Sequence, residues 1–119
     1  MNQTSFGKVI RDARNQKGYS QKELAKEINV HFTYLSKLEN DRPDNPLNEE
    51  YIRSLAHHLD LDAEELTYLA GRIPKRDEDF FKQNHKQMPA LFRRLQEDPN
   101  FAQKVFQEAA QPEDEENQS

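Results

Sequence analysis

Between Ser20 and Leu38 the chain repeats one local design twice, and the short gap between the repeats leaves few folds open to it. Ser20 followed by Glu23 is a capping box, in which each side chain takes up the other residue's backbone N–H, and Tyr19 and Leu24 stand at staple spacing around it. Leu24, Ala25 and Ile28 then mark one apolar helix face. Asn29, a residue that tolerates the left-handed backbone, ends it. Tyr34, Leu35 and Leu38 open the next periodic set almost at once. Two short helices joined by a tight turn are therefore expected.

Helical spacing continues on both sides, and no window alternates with the two-residue period of a strand. Phe6, Val9, Ile10 and Ala13 form one face of a first helix, roughly residues 5–17, with Gly18 as its left-handed stop. "NDRPDNPLN" has the Asn, Asp and Pro density of a loop. Asn48 then caps a fourth helix with Ile52, Leu55, Ala56 and Leu59 inside. Asp62 with Glu65 reads as a second capping box, Leu61 and Leu66 as its staple, and Gly71 as the end of a fifth helix. "RIPKRDED" reads as a charged connector with a boundary near 72–77. Beyond it, segments around Phe80 and Phe81, from Pro89 and from Pro99 read as short helices with proline in first position, Asp98 capping the last. The expected organisation is a five-helix domain over 1–72, a helical segment over 73–111 and a disordered acidic tail over 112–119.

Composition narrows the function classes. The absence of cysteine excludes disulfides, thiolate metal sites and cysteine nucleophiles. Met1 to Phe6 has no apolar stretch of the signal-peptide kind, and no apolar run is long enough to span a bilayer, so a soluble, cytoplasmic protein is expected. A net charge of −5 argues against nucleic acid only until its distribution is read. Residues 1–42 carry eight Lys and Arg against five acids, whereas residues 77–119 carry five against ten. The positive half is the half with the paired short helices, as a DNA-reading helix-turn-helix requires. A plain five-helix bundle would show the same periodicity. His57 and His58 are adjacent, point to different sides of a helix and make a poor metal pair. No nucleophile stands with a positioned base, so no enzyme and no cofactor are expected.

"SQKELAKEINV" followed by "YLSKLEN", with Arg14 and Gly18 upstream and "LAHHLDLDAEEL" downstream, strongly resembles the Cro/CI-type or XRE family of helix-turn-helix regulators over residues 5–71. The resemblance implies an all-α, lambda-repressor-like DNA-binding domain. It implies a phosphate contact for Gln21, at the first position of its helix, where free N–H groups and the helix dipole also attract an anion. It implies a structural ion pair between Arg14 and Glu39. His31 stands at the cap of the third helix, where the family usually has Ser or Thr, so a hydroxyl cap is lost; the histidine reads as a polar cap or as a DNA-surface group that titrates near neutral pH.

With Leu35 and Leu38 facing the core, Phe32, Thr33, Ser36 and Lys37 are left outward, and the family places base contacts there. Lys37 suits guanine O6/N7 or a phosphate, Thr33 a hydrogen bond or a thymine methyl. Phe32 and Tyr34 suit thymine methyls or sugars, and Phe32 equally suits packing on its neighbouring helices. Arg42, with Lys8 and Lys17, is expected to add nonspecific phosphate attraction.

A single such domain covers one half-site, so a homodimer on double-stranded DNA is expected, with residues 77–110 and their many phenylalanines as the dimerisation or partner segment. "YLAGRIPKRDEDFF" also resembles the rear part of regulators cleaved by a partner metallopeptidase. The expectations are therefore a transcriptional repressor on a palindromic operator or, alternatively, an antitoxin that binds a toxin and autoregulates through the same domain. A protein-interaction module that has lost DNA binding is the third reading.

Overall fold

The computed structural model describes residues 4–43 and 47–112, and every regular element among them is a helix. In chain order they are α1 (Phe6–Lys17), α2 (Gln21–Glu27), α3 (Phe32–Glu39), α4 (Glu49–Leu59), α5 (Ala63–Leu69), α6 (Lys75–Gln83), α7 (Met88–Glu97) and α8 (Pro99–Ala110). No strand occurs among the described residues, as the periodicity requires. Two compact units divide between Arg76 and Asp77.

In the first unit the caps set the helix lengths. Ser5 opens α1 by accepting the Lys8 N–H, and Gly18 closes it at φ 82°. Ser20 and Glu23 make both bonds of the capping box on α2. Asn29 turns the chain at φ 62°, the left-handed conformation its short polar side chain tolerates. Asn48 caps α4 by accepting the Tyr51 N–H at 2.8 Å. Asp62 caps α5 by accepting from Glu65, but the return bond from the Glu65 side chain is not formed, so the second capping box is only half built.

Those helices enclose one core. Ile10, Leu24, Leu35, Ile52 and Leu55 have no exposed surface, and Leu38, Ile28, Leu59 and Leu66 are buried beside them. Each such side chain contributes about 1.5–3 kcal/mol on leaving water. The rear of α3 meets the front of α1 unusually closely. A Cβ on Gly7 would stand 2.5 Å from the Glu39 carbonyl oxygen, so only glycine permits this approach. Two bonds fasten the contact: the Gly7 N–H donates to Asp41 Oδ1 at 2.8 Å, and Arg11 Nη2 donates to the Glu39 carbonyl at 2.8 Å.

The sequence expectation needs correcting at the connector. Residues 75–77 are already the first turn of α6, which begins directly after Pro74. Proline ends what precedes it but suits a helix start, and Asp77 and Glu78 in the first turn favour the helix dipole. Similarly α7 opens at Met88, one residue before Pro89. In the second unit Phe81 and Phe92 pack with ring centroids 5.9 Å apart, the Arg94 guanidinium lies 3.9 Å from the Phe101 ring centroid, and Asp98 caps α8 through the Phe101 N–H. Nothing in α6, α7 or α8 is buried. The expected disorder of the tail falls on residues 113–119, which lie outside the described ones.

Candidate nucleic-acid interface

The turn between α2 and α3 is closed by backbone bonds, Asn29 N–H to Lys26 O at 3.2 Å and Val30 N–H to Ala25 O at 2.9 Å. Ala25, almost fully buried, leaves room for the helices to approach. On α3 the apolar positions Leu35 and Leu38 point into the core and Glu39 is buried with them, while His31, Phe32, Thr33 and Lys37 are exposed and Ser36 is partly so. One helix thus carries a core face and an open face that combines hydroxyl, aromatic and cationic chemistry.

The start of α3 departs from a hydroxyl cap in an informative way. His31 Nδ1 accepts the Thr33 N–H at 3.2 Å and lies 2.9 Å from Thr33 Oγ1, so the imidazole takes over the capping role. Its ring stacks on Phe32 with centroids 4.9 Å apart and planes 27° from parallel. From α2, the Lys22 ammonium sits 5.2 Å from the centre of the same Phe32 ring. Phe32 therefore packs against a neighbouring helix while keeping 38% of its surface open. Lys22 was no candidate in the sequence. Its signal is positional only: it lies in the first turn of α2 as Phe32 does in that of α3.

Gln21 is the other residue whose surroundings the sequence did not reveal. Its Nε2 donates to Glu39 Oε1 at 3.0 Å, joining the ion pair as a third member. Arg14 holds Glu39 with two prongs, Nε to Oε2 at 2.6 Å and Nη2 to Oε1 at 3.0 Å, and spends Nη1 on the Tyr19 carbonyl at 2.9 Å. With side chains 12% and 2% exposed, the pair is architecture, and little of Arg14 is open to an incoming phosphate. What Gln21 retains for an anion is its second amide hydrogen and the unpaired N–H groups of a helix start.

The remaining candidates divide. Tyr34 is half-buried with its ring 5.7 Å from that of Tyr51 on α4, and desolvation pushes its hydroxyl pKa up. Arg42 is exposed, and its backbone N–H closes the end of α3 on the Lys37 carbonyl at 2.8 Å. Lys8 pairs with Asp12 at 2.7 Å. Lys17 pairs with Asp60, and that hydrogen bond raises the lysine's pKa and lowers the aspartate's. Both lysines thus have nearby carboxylates that weaken their pull on phosphate. His57 and His58 meet edge-on, His58 additionally bonded to the Ser54 carbonyl. Among the described residues no three His, Cys, Asp or Glu side chains gather as a metal site would need, and no helix is long and apolar enough to cross a membrane.

Comparison with known proteins bears on the first unit. Residues 10–66 match the family described as helix-turn-helix, HTH_3. Among solved structures, the clp gene regulator ClgR from Corynebacterium glutamicum is 23% identical, with 79% of this chain and 90% of that chain covered and a TM-score of 0.47. A chain of the SinR protein/SinI protein complex is also 23% identical, over 83% of this chain and 98% of that chain, with a TM-score of 0.47. No curated protein matches the chain.

Proposed function

We propose that residues 10–66, which match the helix-turn-helix family, make this chain a member of it, and that the chain is a sequence-specific DNA-binding transcriptional repressor that occupies a palindromic operator as a dimer, in the cytoplasm and without catalysis. The observation that carries the reading is the division of α3: Leu35, Leu38 and Glu39 are buried while Phe32, Thr33 and Lys37 stay exposed on the helix that the motif presents to the major groove.

In this reading the positive charge of α2 and the start of that helix hold the phosphates, with Gln21, Lys22 and Lys26 nearest the strand. Phe32, Thr33, Ser36 and Lys37 read base edges. Thr33 and Phe32 suit thymine methyls, and Lys37 suits guanine. His31 acts on specificity through position, since it fixes Thr33 and stacks on Phe32. Two copies on half-sites about 34 Å apart give the affinity that one copy lacks.

Fluorescence anisotropy on fragments selected from the organism's genome tests this. Binding should fall steeply with salt. Gln21→Ala should weaken all sequences alike, and Lys37→Ala should remove about 1–3 kcal/mol of discrimination at one base position. Flat, weak binding at low salt that the double variant leaves unchanged would overturn the reading.

A further inference from the structure

Among the described residues of the second unit, concavities of opposite character lie on α7 and α8. One, beside the α7–α8 junction, is lined by Ala90, Arg93, Arg94, Glu97, Asp98 and Pro99. The other runs along α8 and is lined by Leu95 of α7 and by Pro99, Ala102, Phe106 and Ala110, with three glutamines completing it. No charged residue lines this second groove, although 33% of the chain is charged. Its α8 members follow one another at helical spacing, so they form a stripe. The opposite apolar stripe of α8, Phe101 and Val105, is partly covered, and Phe101 meets Arg94 of α7. Phe106 is left 65% exposed.

We propose that this uncharged stripe of α8 receives the same stripe of a second copy, the two α8 helices running antiparallel about a twofold axis level with residue 104. The proposal deepens the dimer reading above and rests on it. A twofold interface must be complementary to itself, so a charge near the axis meets its own image. The charged concavity would have to take Arg93, Arg94, Glu97 and Asp98 out of water, at a desolvation cost for each, whereas the neutral one has no charge to desolvate. Glutamine suits the role because its amide both donates and accepts, and so pairs with its own copy. Size is matched as well. In that antiparallel register the large Phe106 of each copy lies over the small Ala102 of the other, and Gln103 lies within one residue of the axis and faces its own copy. The need for a partner is plain from burial, since no residue of α6, α7 or α8 is buried.

Sedimentation velocity of the full chain over a concentration series tests the proposal, on wild type, Phe106→Glu and Phe80→Glu. Phe80 is also exposed but lies outside the stripe. A glutamate buried over the Ala102 of the other copy, twice in each dimer, should raise the dimer Kd by at least about a hundredfold in Phe106→Glu, with far-UV circular dichroism unchanged, while Phe80→Glu stays like wild type. Since the chain has no cysteine, Gln103→Cys supplies a single thiol that should cross-link two copies under mild oxidation, and Lys82→Cys should not. A wild-type dimer that Phe106→Glu leaves intact and Gln103→Cys fails to link overturns the α8 site and leaves the dimer standing. A wild type that is monomeric while saturating its DNA overturns the dimer itself, and the stripe then belongs to a different protein.

Discussion

Removing the Glu39 carboxylate is the most severe single polar change this fold offers. Glu39→Ala takes both prongs from Arg14, at 2.6 and 3.0 Å, and the Gln21 amide loses its acceptor at 3.0 Å. The guanidinium then stays where it is, 12% exposed, with the Tyr19 carbonyl as its remaining partner. Stripping one partner from a buried pair costs about 3–5 kcal/mol, mostly the penalty of the charge left behind. Against a total of about 5–15 kcal/mol for a domain, that is a large part of the whole. In a unit of this size it lowers Tm by more than about 10 °C.

Urea unfolding followed by tyrosine fluorescence is the suitable assay. The chain has no tryptophan, and Tyr19, Tyr34, Tyr51 and Tyr68 all lie before the division at Arg76, so the signal belongs to the first unit alone. The midpoint should fall at unchanged slope. Replacing both partners, Arg14→Met with Glu39→Leu, should recover most of the loss because no charge is then stranded. A loss below about 1 kcal/mol in Glu39→Ala, or a double variant no better than the single, would refute the claim that a stranded buried charge dominates.

Three further outcomes are expected. Gly7→Ala should destabilise by about 1–3 kcal/mol in the same assay, despite alanine's better helix propensity, because the new methyl meets the Glu39 and Leu38 carbonyls at 2.5 and 2.6 Å; a gain would mean the backbone can part there. Asp60 has its pKa lowered by Lys17, so its contribution is present above the normal carboxylate range and is lost as pH falls through the lowered value. Asp60→Asn should therefore flatten the acid limb of the stability profile, with an equally steep limb in the variant counting against the pair. His31→Ala should cost about 1 kcal/mol as a lost cap while His31→Ser holds stability, both read from urea midpoints; equal values for the two would remove the capping role.

What was legible in the sequence is what local chemistry decides. Gly18, the Ser20–Glu23 box, Asn29 and the caps at Asn48 and Asp98 each act within a few residues, so their signals are contiguous. The start of α6 was misread because Pro74 and a run of charges look like a linker, whereas those charges suit an exposed helix well. Contacts across the chain left no trace beyond the Arg14–Glu39 pair that the family resemblance implied. Gln21 reaching Glu39, Lys22 over Phe32, and Asp41 receiving the Gly7 N–H depend on how helices are placed, and nothing in their spacing announces them. His31 was legible as a polar cap, but the atom that makes it was not: the ring Nδ1 accepts the Thr33 N–H, a role the helix-cap preference gives to hydroxyl, carboxylate and amide oxygens.

The close seat of α3 on α1 makes α3 a cantilever. Its root is clamped by Gly7, Arg11 and Asp41 and its middle by Leu35 in the core, and ahead of these the tip at Phe32 and Thr33 is held by the ring-nitrogen cap and the Lys22 contact. At eight residues the beam is about 12 Å long, so a tilt of about 5° at the root swings the tip by about 1 Å. That swing exceeds the whole spread of good hydrogen-bond lengths, about 0.5 Å. In the proposed reading, substitutions at the root therefore re-aim every base contact at once, while substitutions at the tip change one contact and leave the aim alone.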